Sequence, residues 1–262
     1  MHIPDLIPDI DVSFEGHVAV VEIRRPPHNF FDLRLIEGLA IAYEALDKEA
    51  SCRAILLCAQ GTAFCAGADF SKRDDDAATR RPGVLNPLYT EAIRMFACAK
   101  PVVAAVQGAA VGGGLGLAVS ADFRVACPEA RFSANFNRLG FHPGFGLTAT
   151  LPRLIGQQKT AMMFYTGRRV GGEEAFQMGL ADMLVPREEL RSAALKLATE
   201  IAISAPLAVV STRATLRQGL VEAVTAAVNR ESHEQDWQRR TEDFKEGVAA
   251  MAARREPVFQ GR

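Results

Sequence analysis

The chain has 262 residues, with 30 Lys and Arg against 31 Asp and Glu and a formal net charge of −1. That balance leaves no electrostatic footprint for nucleic acid or an anionic membrane surface, and the length suits one large domain or a domain with a helical appendage. Five cysteines, at 52, 58, 65, 98 and 127, form no C-x-x-C pair and no zinc spacing, so no metal is expected; their apolar neighbours predict reduced, buried thiols in a cytoplasmic protein.

Met1-His2-Ile3-Pro4-Asp5 has no basic stretch before an apolar core, so no signal peptide is expected. Val18 to Arg24 alternates weakly and runs into Pro26-Pro27, which predicts a strand leaving into a turn. Apolar residues at 35, 36, 39, 42, 43 and 46 give Leu33 to Glu49 a helical period. A strand is predicted over 54–59, then a polar, broken loop over 71–87 that reads as mobile, its Asp74-Asp75-Asp76 run a solvated charge cluster. Tyr89 to Ala99 returns to helical period, and strands follow over 102–106 and 123–126. From Glu173 onward the pattern is almost wholly helical, punctuated by Pro186 and Pro206. This β-α-β-α alternation predicts a parallel sheet. Pro101 to Ala121 carries no charge and passes a crude spanning test, but glycines at 108, 112–114 and 116 break it. A buried strand, a glycine turn and a buried helix account for it better.

Two glycine-bearing segments carry the chemistry. Ala63-Phe64-Cys65-Ala66-Gly67-Ala68-Asp69 follows the run 54–59, and Gly112-Gly113-Gly114-Leu115-Gly116 follows the run 102–106. Apolar runs of this kind read as buried parallel strands, and glycine after them lets backbone approach a ligand. Two such turns at neighbouring strand ends could aim two peptide N–H groups at one point, the geometry of an oxyanion hole. A dinucleotide fingerprint is excluded because Leu117 stands where the third glycine belongs, and no G-x-x-x-x-G-K-[ST] occurs.

At these turns the chain resembles the crotonase (enoyl-CoA hydratase/isomerase) superfamily. The resemblance extends to Arg25-Pro26-Pro27-His28-Asn29-Phe30, Ala121-Asp122-Phe123-Arg124-Val125-Ala126, Leu151-Pro152-Arg153-Leu154-Ile155-Gly156, Gly179-Leu180-Ala181-Asp182 and the tail from Asp243 to Arg262. It implies an α/β spiral of β-β-α units. Residues 1–200 would form the core that binds acyl-CoA, and 201–262 a helical region that covers the coenzyme A site and builds a homotrimer or a dimer of trimers. It also implies that the N–H groups of Ala68 and Gly113 form the oxyanion hole. Coenzyme A, part of the substrate rather than a tightly bound cofactor, would be held by Ala66, Ala68, Asp69 and Phe70, with Arg25, His28 and Phe30 near its phosphates. Arginine suits phosphate, though Arg25 also reads as an ordinary residue before a turn, and Asp69 as the cap of a following helix.

The resemblance also exposes a departure. Hydratases of the family use two glutamates, at positions that match Gly116 and Phe136 here, and neither residue can move a proton. Relatives with an aspartate at the position matching Gly144 have no counterpart either. Of the groups that remain, His142 could carry a proton near neutral pH, or be a loop histidine bonded locally. Tyr89 and Glu91 read as helix-surface or packing residues, and His233 with Trp237 as one helical face for packing or subunit contact. Three readings stay open. One is an acyl-CoA enzyme, a lyase or isomerase or else a decarboxylase or thioester hydrolase, with an enolate-stabilising hole and an unconventional proton carrier. The others are a non-catalytic acyl-CoA-binding or regulatory protein, and a slow hydratase.

Overall fold

The apolar runs form strands whose alternate side chains feed two separate cores. The computed structural model describes residues 9–69 and 85–262. Strands β1 (Ile10–Glu15), β2 (Val18–Ile23), β3 (Ala54–Ala59), β4 (Val102–Val106), β6 (Phe123–Ala126) and β9 (Met183–Leu184) make one sheet in the order β1-β2-β3-β4-β6-β9. The β1–β2 hairpin is antiparallel and the other pairings are parallel, with Leu56 opposite Val20 and Val103. Strands β5 (Ala109–Val111), β7 (Arg131–Ser133) and β8 (Arg169–Gly171) make a second, three-stranded sheet.

Period-two alternation then decides which core each side chain joins. Ile55, Leu57, Ala104 and Val106 face a core closed by helices α1 (Leu33–Lys48), α2 (Pro87–Phe96) and α3 (Gly113–Ser120). Ala54, Leu56, Cys58, Val103 and Ala105 face the other, closed by α7 (Leu190–Ala202) through Leu190, Ala194, Ala198 and Ala202. The spacing of four along α7 puts those small residues on one stripe against the strands. On α1 the positions of the predicted helical period are the buried ones, and Asp32 caps the helix by accepting from the Leu35 N–H at 2.9 Å.

Two stretches that match the family in sequence meet here. The Arg124 guanidinium, 1 % exposed, donates to the Leu180 and Ala121 carbonyls and pairs with Asp182 at 2.8 Å. Asp122 accepts from the Val102 N–H and from Arg213 and Arg217. A buried cation with its donors satisfied fixes the strand end against the following helices.

The remaining helices are α4 (Leu147–Ile155), α5 (Gln157–Thr166), α6 (Gly172–Met178), α8 (Pro206–Leu216), α9 (Leu220–Gln238) and α10 (Glu242–Ala252). Helix α9 packs on α2 and α4, and α10 packs on the 3-10 turn Asn137–Leu139, so the C-terminal helices fold back over the same end of the molecule. The predicted helical face of His233 and Trp237 is the outer one, whereas α9 buries Val224, Val228, Glu231 and Gln235. Two corrections concern strands. β9 lies within the stretch read as helical, and two residues are too short to show a period. Asp182 sets it instead, donating through its N–H to the Arg124 carbonyl and accepting from the Arg124 N–H. The second sheet was not legible as strands because each member has only three residues. Residues 71–84 of the predicted loop, with Asp74, Asp75 and Asp76, lie outside the described residues. Among the described residues no single helix is long and apolar enough to cross a membrane, and Pro101 to Ala121 forms β4, β5 and α3.

Candidate active site

The two glycine turns lie against each other at the ends of β3 and β4. The Cys65 N–H donates to the Ala109 carbonyl at 2.9 Å, and the Val111 N–H donates back to Cys65 at 3.0 Å. Backbone approach this close needs glycine. A methyl group on Gly108 would overlap the Thr62 carbonyl, and one on Gly114 the Cys65 carbonyl. Gly67 takes φ +88°, with its α-carbon facing the Val111 carbonyl.

Buried amides pin the first turn from below. Asn29 donates to the Gln60 and Ala63 carbonyls at 2.6 and 2.8 Å and accepts from the Arg25 N–H. Gln107 donates to the Ala59 and Ala63 carbonyls. The His28 carbonyl accepts from Ala66, and the Gly67 carbonyl from Phe31. Sequence reading assigned no role to Asn29 or Gln107; for Gln107, a polar residue directly after the apolar run 102–106 was the available signal.

A cavity of about 640 Å³ opens over the turns. Ala68 and Gly113 both line it, and among the described residues neither N–H donates to a backbone carbonyl. Gly113 is the first residue of α3, so its N–H lies at the positive end of a helix. His28, Phe30, Ala66 and Asp69 also line the cavity, and the His28 and Phe30 rings meet at a tilt of 48° with centroids 5.2 Å apart. Phe70 lies outside the described residues. Arg25 does not line the cavity; it pairs with Asp9 at 2.7 Å and Asp32 at 2.8 Å. Burial works against its charge, but the bonds to the two carboxylates outweigh burial and hold its pKa above the ordinary arginine value.

Gly116, the position of a hydratase glutamate by resemblance, has no room for a side chain. A Cβ there would stand 2.6–2.8 Å from three carbons of Phe145. Phe145 is 1 % exposed, holds φ +63°, and packs on Phe31 with ring centroids 5.9 Å apart. The Phe136 ring forms another part of the wall and meets Phe141 edge-on at 5.5 Å. Phe141 in turn meets Phe244 and lies under the Arg239 guanidinium at 4.7 Å. At Gly144 the Tyr89 hydroxyl occupies the place where a side chain would begin.

His142 is not among the lining residues. Its Nδ1 bonds the Pro143 carbonyl at 2.8 Å, its N–H donates to Gln238, and its carbonyl accepts from Gln235 at 2.8 Å. Tyr89, read from sequence as a surface or packing residue, does line the cavity, because α2 turns that face toward α9. Glu91 instead pairs with Arg94. Asn135, next to Phe136, is a further polar lining residue, as is Arg254, which sequence reading passed over. Asp69 is the one carboxylate in the wall among the described residues. A buried acid lies outside the lining: Glu231 accepts from the Gly146 and Thr148 N–H groups and from the Thr148 hydroxyl at 2.6–3.0 Å. Burial raises its pKa above the usual carboxylate value, and these bonds only partly offset the shift. Among the described residues no group of His, Cys, Asp and Glu could hold a metal ion.

The fold that carries these turns is shared with solved structures. An enoyl-CoA hydratase/isomerase from Pseudoalteromonas atlantica superposes with a TM-score of 0.86 at 30% identity, covering 97% of this chain and 100% of that one. The fold is therefore the crotonase fold. The family model described as enoyl-CoA hydratase/isomerase matches residues 13–262, and the chain belongs to that family. The chain is 32% identical over 246 residues to the short-chain-enoyl-CoA hydratase of Clostridium acetobutylicum, covering 92% of this chain and 93% of that protein. It is 30% identical over 257 residues to the 1,2-epoxyphenylacetyl-CoA isomerase of Escherichia coli, covering 95% and 97%.

Proposed function

We propose that the protein is an acyl-CoA enzyme that stabilises a thioester enolate between the N–H groups of Ala68 and Gly113, without two-glutamate hydration. The supporting observation is the wall itself: Ala68 and Gly113, from interlocked turns, line a cavity in which phenylalanine fills the space over Gly116. Negative charge growing on a thioester oxygen would meet two donors and the start of α3, the arrangement that stabilises an oxyanion. Isomerisation, decarboxylation and thioester hydrolysis all pass through that charge, and decarboxylation needs no strong base. His28, Phe30, Ala66 and Asp69 would hold coenzyme A, with Arg239 and Arg254 as further wall cations for its phosphates. His142 stands behind Gln235 and Tyr89, so this reading gives it no direct proton transfer. Self-association would use α8, none of whose residues is buried, with Leu207 and Leu216 exposed.

The test is a panel of unsaturated, malonyl-type, 3-hydroxy and aroyl CoA esters incubated with the protein and read by mass spectrometry. Calorimetry is run alongside with butyryl-CoA and its carbonyl-free thioether analogue. Conversion of one ester class, with the thioester bound more tightly than the thioether, is the expected result. Equal affinity for the two would remove the oxyanion hole, and binding without any conversion would make this a binding protein.

A further inference from the structure

The cavity wall carries an amide that the protein itself leaves without a partner. Other amides near the site are committed. Asn29 and Gln107 donate to carbonyls of the first turn, Asn86 caps α2 by accepting from the Leu88 N–H, and Gln235 bonds both His142 and Tyr89. Asn135 lines the cavity, and among the described residues its side chain makes no hydrogen bond. Nor is that amide sealed in the packing: among the described residues only the Tyr43 hydroxyl and the Arg53 Nε are buried without a partner. Backbone fixes its place on both sides. The Gly112 N–H donates to the Ser133 carbonyl at 2.8 Å where β5 pairs with β7, and the Phe136 carbonyl accepts from the Leu139 and Phe141 N–H groups. The Asn135 Oδ1 thereby stands 3.6 Å from where a Gly112 Cβ would be, with the Phe136 ring 3.8 Å from the same point and the Phe31 ring over Gly113.

We infer that Asn135 is a specificity-determining residue that selects acyl groups carrying a keto oxygen beyond the thioester. This rests on the acyl-CoA reading above. Gly112 is the cap residue of α3, so the negative end of the amide faces the positive start of that helix, and the NH₂ is the end left for a ligand. A keto oxygen, which can only accept, matches that NH₂. An alkyl group in the same place strips water from the amide and returns no hydrogen bond. The neighbouring Phe31 and Phe136 rings offer the amide no substitute partner. A neutral amide has no proton to give up near neutral pH, so Asn135 sorts acyl groups and takes no part in proton transfer.

The experiment measures dissociation constants by calorimetry for two pairs of CoA esters in which a methyl group replaces the keto oxygen. The pairs are 3-oxobutyryl with isovaleryl, and 4-oxopentanoyl with 4-methylpentanoyl. They are measured on the full chain and on Asn135→Leu and Asn135→Asp. In the natural protein at least one oxo ester binds no more weakly than its methyl partner, although the methyl ester is the more apolar. In Asn135→Leu, similar in size and unable to bond, that pair's preference shifts toward the methyl ester by roughly 2- to 10-fold, the range of one neutral hydrogen bond. Asn135→Asp keeps the shape but offers only acceptors, so it shifts the preference the same way and at least as far. A merely structural role for Asn135 would weaken both members of each pair together and leave their ratio unchanged, which overturns the inference. So does a natural protein that prefers the methyl ester in both pairs, a result that needs no variant to fold. If none of the four esters binds the natural protein, the acyl-CoA reading fails and this inference falls with it; esters that bind with the wrong preference sink the inference alone.

Discussion

Substituting alanine for Gly116 should change sign with its background. In the natural protein the added methyl meets the Phe145 Cβ at 2.7 Å and two ring carbons at 2.6 and 2.8 Å. The stem of that side chain is involved as well as its tip, so Phe145 cannot step aside by a small ring rotation. Overpacking of this kind costs about 1–3 kcal/mol. Gly116 also sits inside α3, where replacing glycine by alanine returns about 1 kcal/mol of helix propensity. The net expectation is a loss of up to about 2 kcal/mol. In a Phe145→Gly background the obstruction is gone and the positive φ of residue 145 suits glycine. There Gly116→Ala should stabilise by up to about 1 kcal/mol, a coupling of about 1–3 kcal/mol in the double-mutant cycle. Urea unfolding at fixed protein concentration, with m-values compared across the four proteins, reads both numbers. The same sign and size in both backgrounds would refute the packing account of why this position is glycine. It would also mean that position 116 can accommodate a side chain.

Glu231→Ala leaves the Gly146 and Thr148 N–H groups and the Thr148 hydroxyl without their acceptor. It should cost about 3–5 kcal/mol, seen as a clear drop in thermal midpoint; a change below about 1 kcal/mol would show that the loop holds itself. Burial raises the Cys52 thiol to about 11 and the Cys58 and Cys65 thiols to about 12, from an ordinary 9.0. Above pH 9 the unfolded chain loses those protons while the folded one keeps them, so stability should fall as pH rises from 9 toward 11–12, by about 1.4 kcal/mol per thiol per pH unit. Urea midpoints that stay flat between pH 8.5 and 10.5, or rapid alkylation of the native thiols at pH 8, would contradict that burial.

Chain-local chemistry made much of this molecule legible in the sequence. The runs over 54–59 and 102–106 are buried on both faces, so they read as apolar strands whatever lies on either side. The period of Leu33 to Glu49 needs only its own spacing to name its buried face. The glycines at 67, 108 and 114 could be read as places of close backbone approach because glycine is rare inside such runs for any other reason. The side chains of the cavity were harder. Tyr89 on α2 looks like any helix tyrosine until α9 brings Gln235 against it. Asn29 looks like a turn residue until it bonds carbonyls of the strand-end turn.

Sequence alone thus determined strands β2, β3, β4 and β6, the first helices, the two glycine turns and the family, because each depends on backbone preferences and spacing within a few residues. Tertiary structure alone decided what fills the holes. Phe145 takes the space over Gly116, and the Tyr89 hydroxyl takes the space beside Gly144. In both cases the filling side chain comes from another element, and a glycine reports only that something approaches, not what. Which atom arrives, and whether it offers a proton or a lone pair, is set by close packing among segments far apart in the chain.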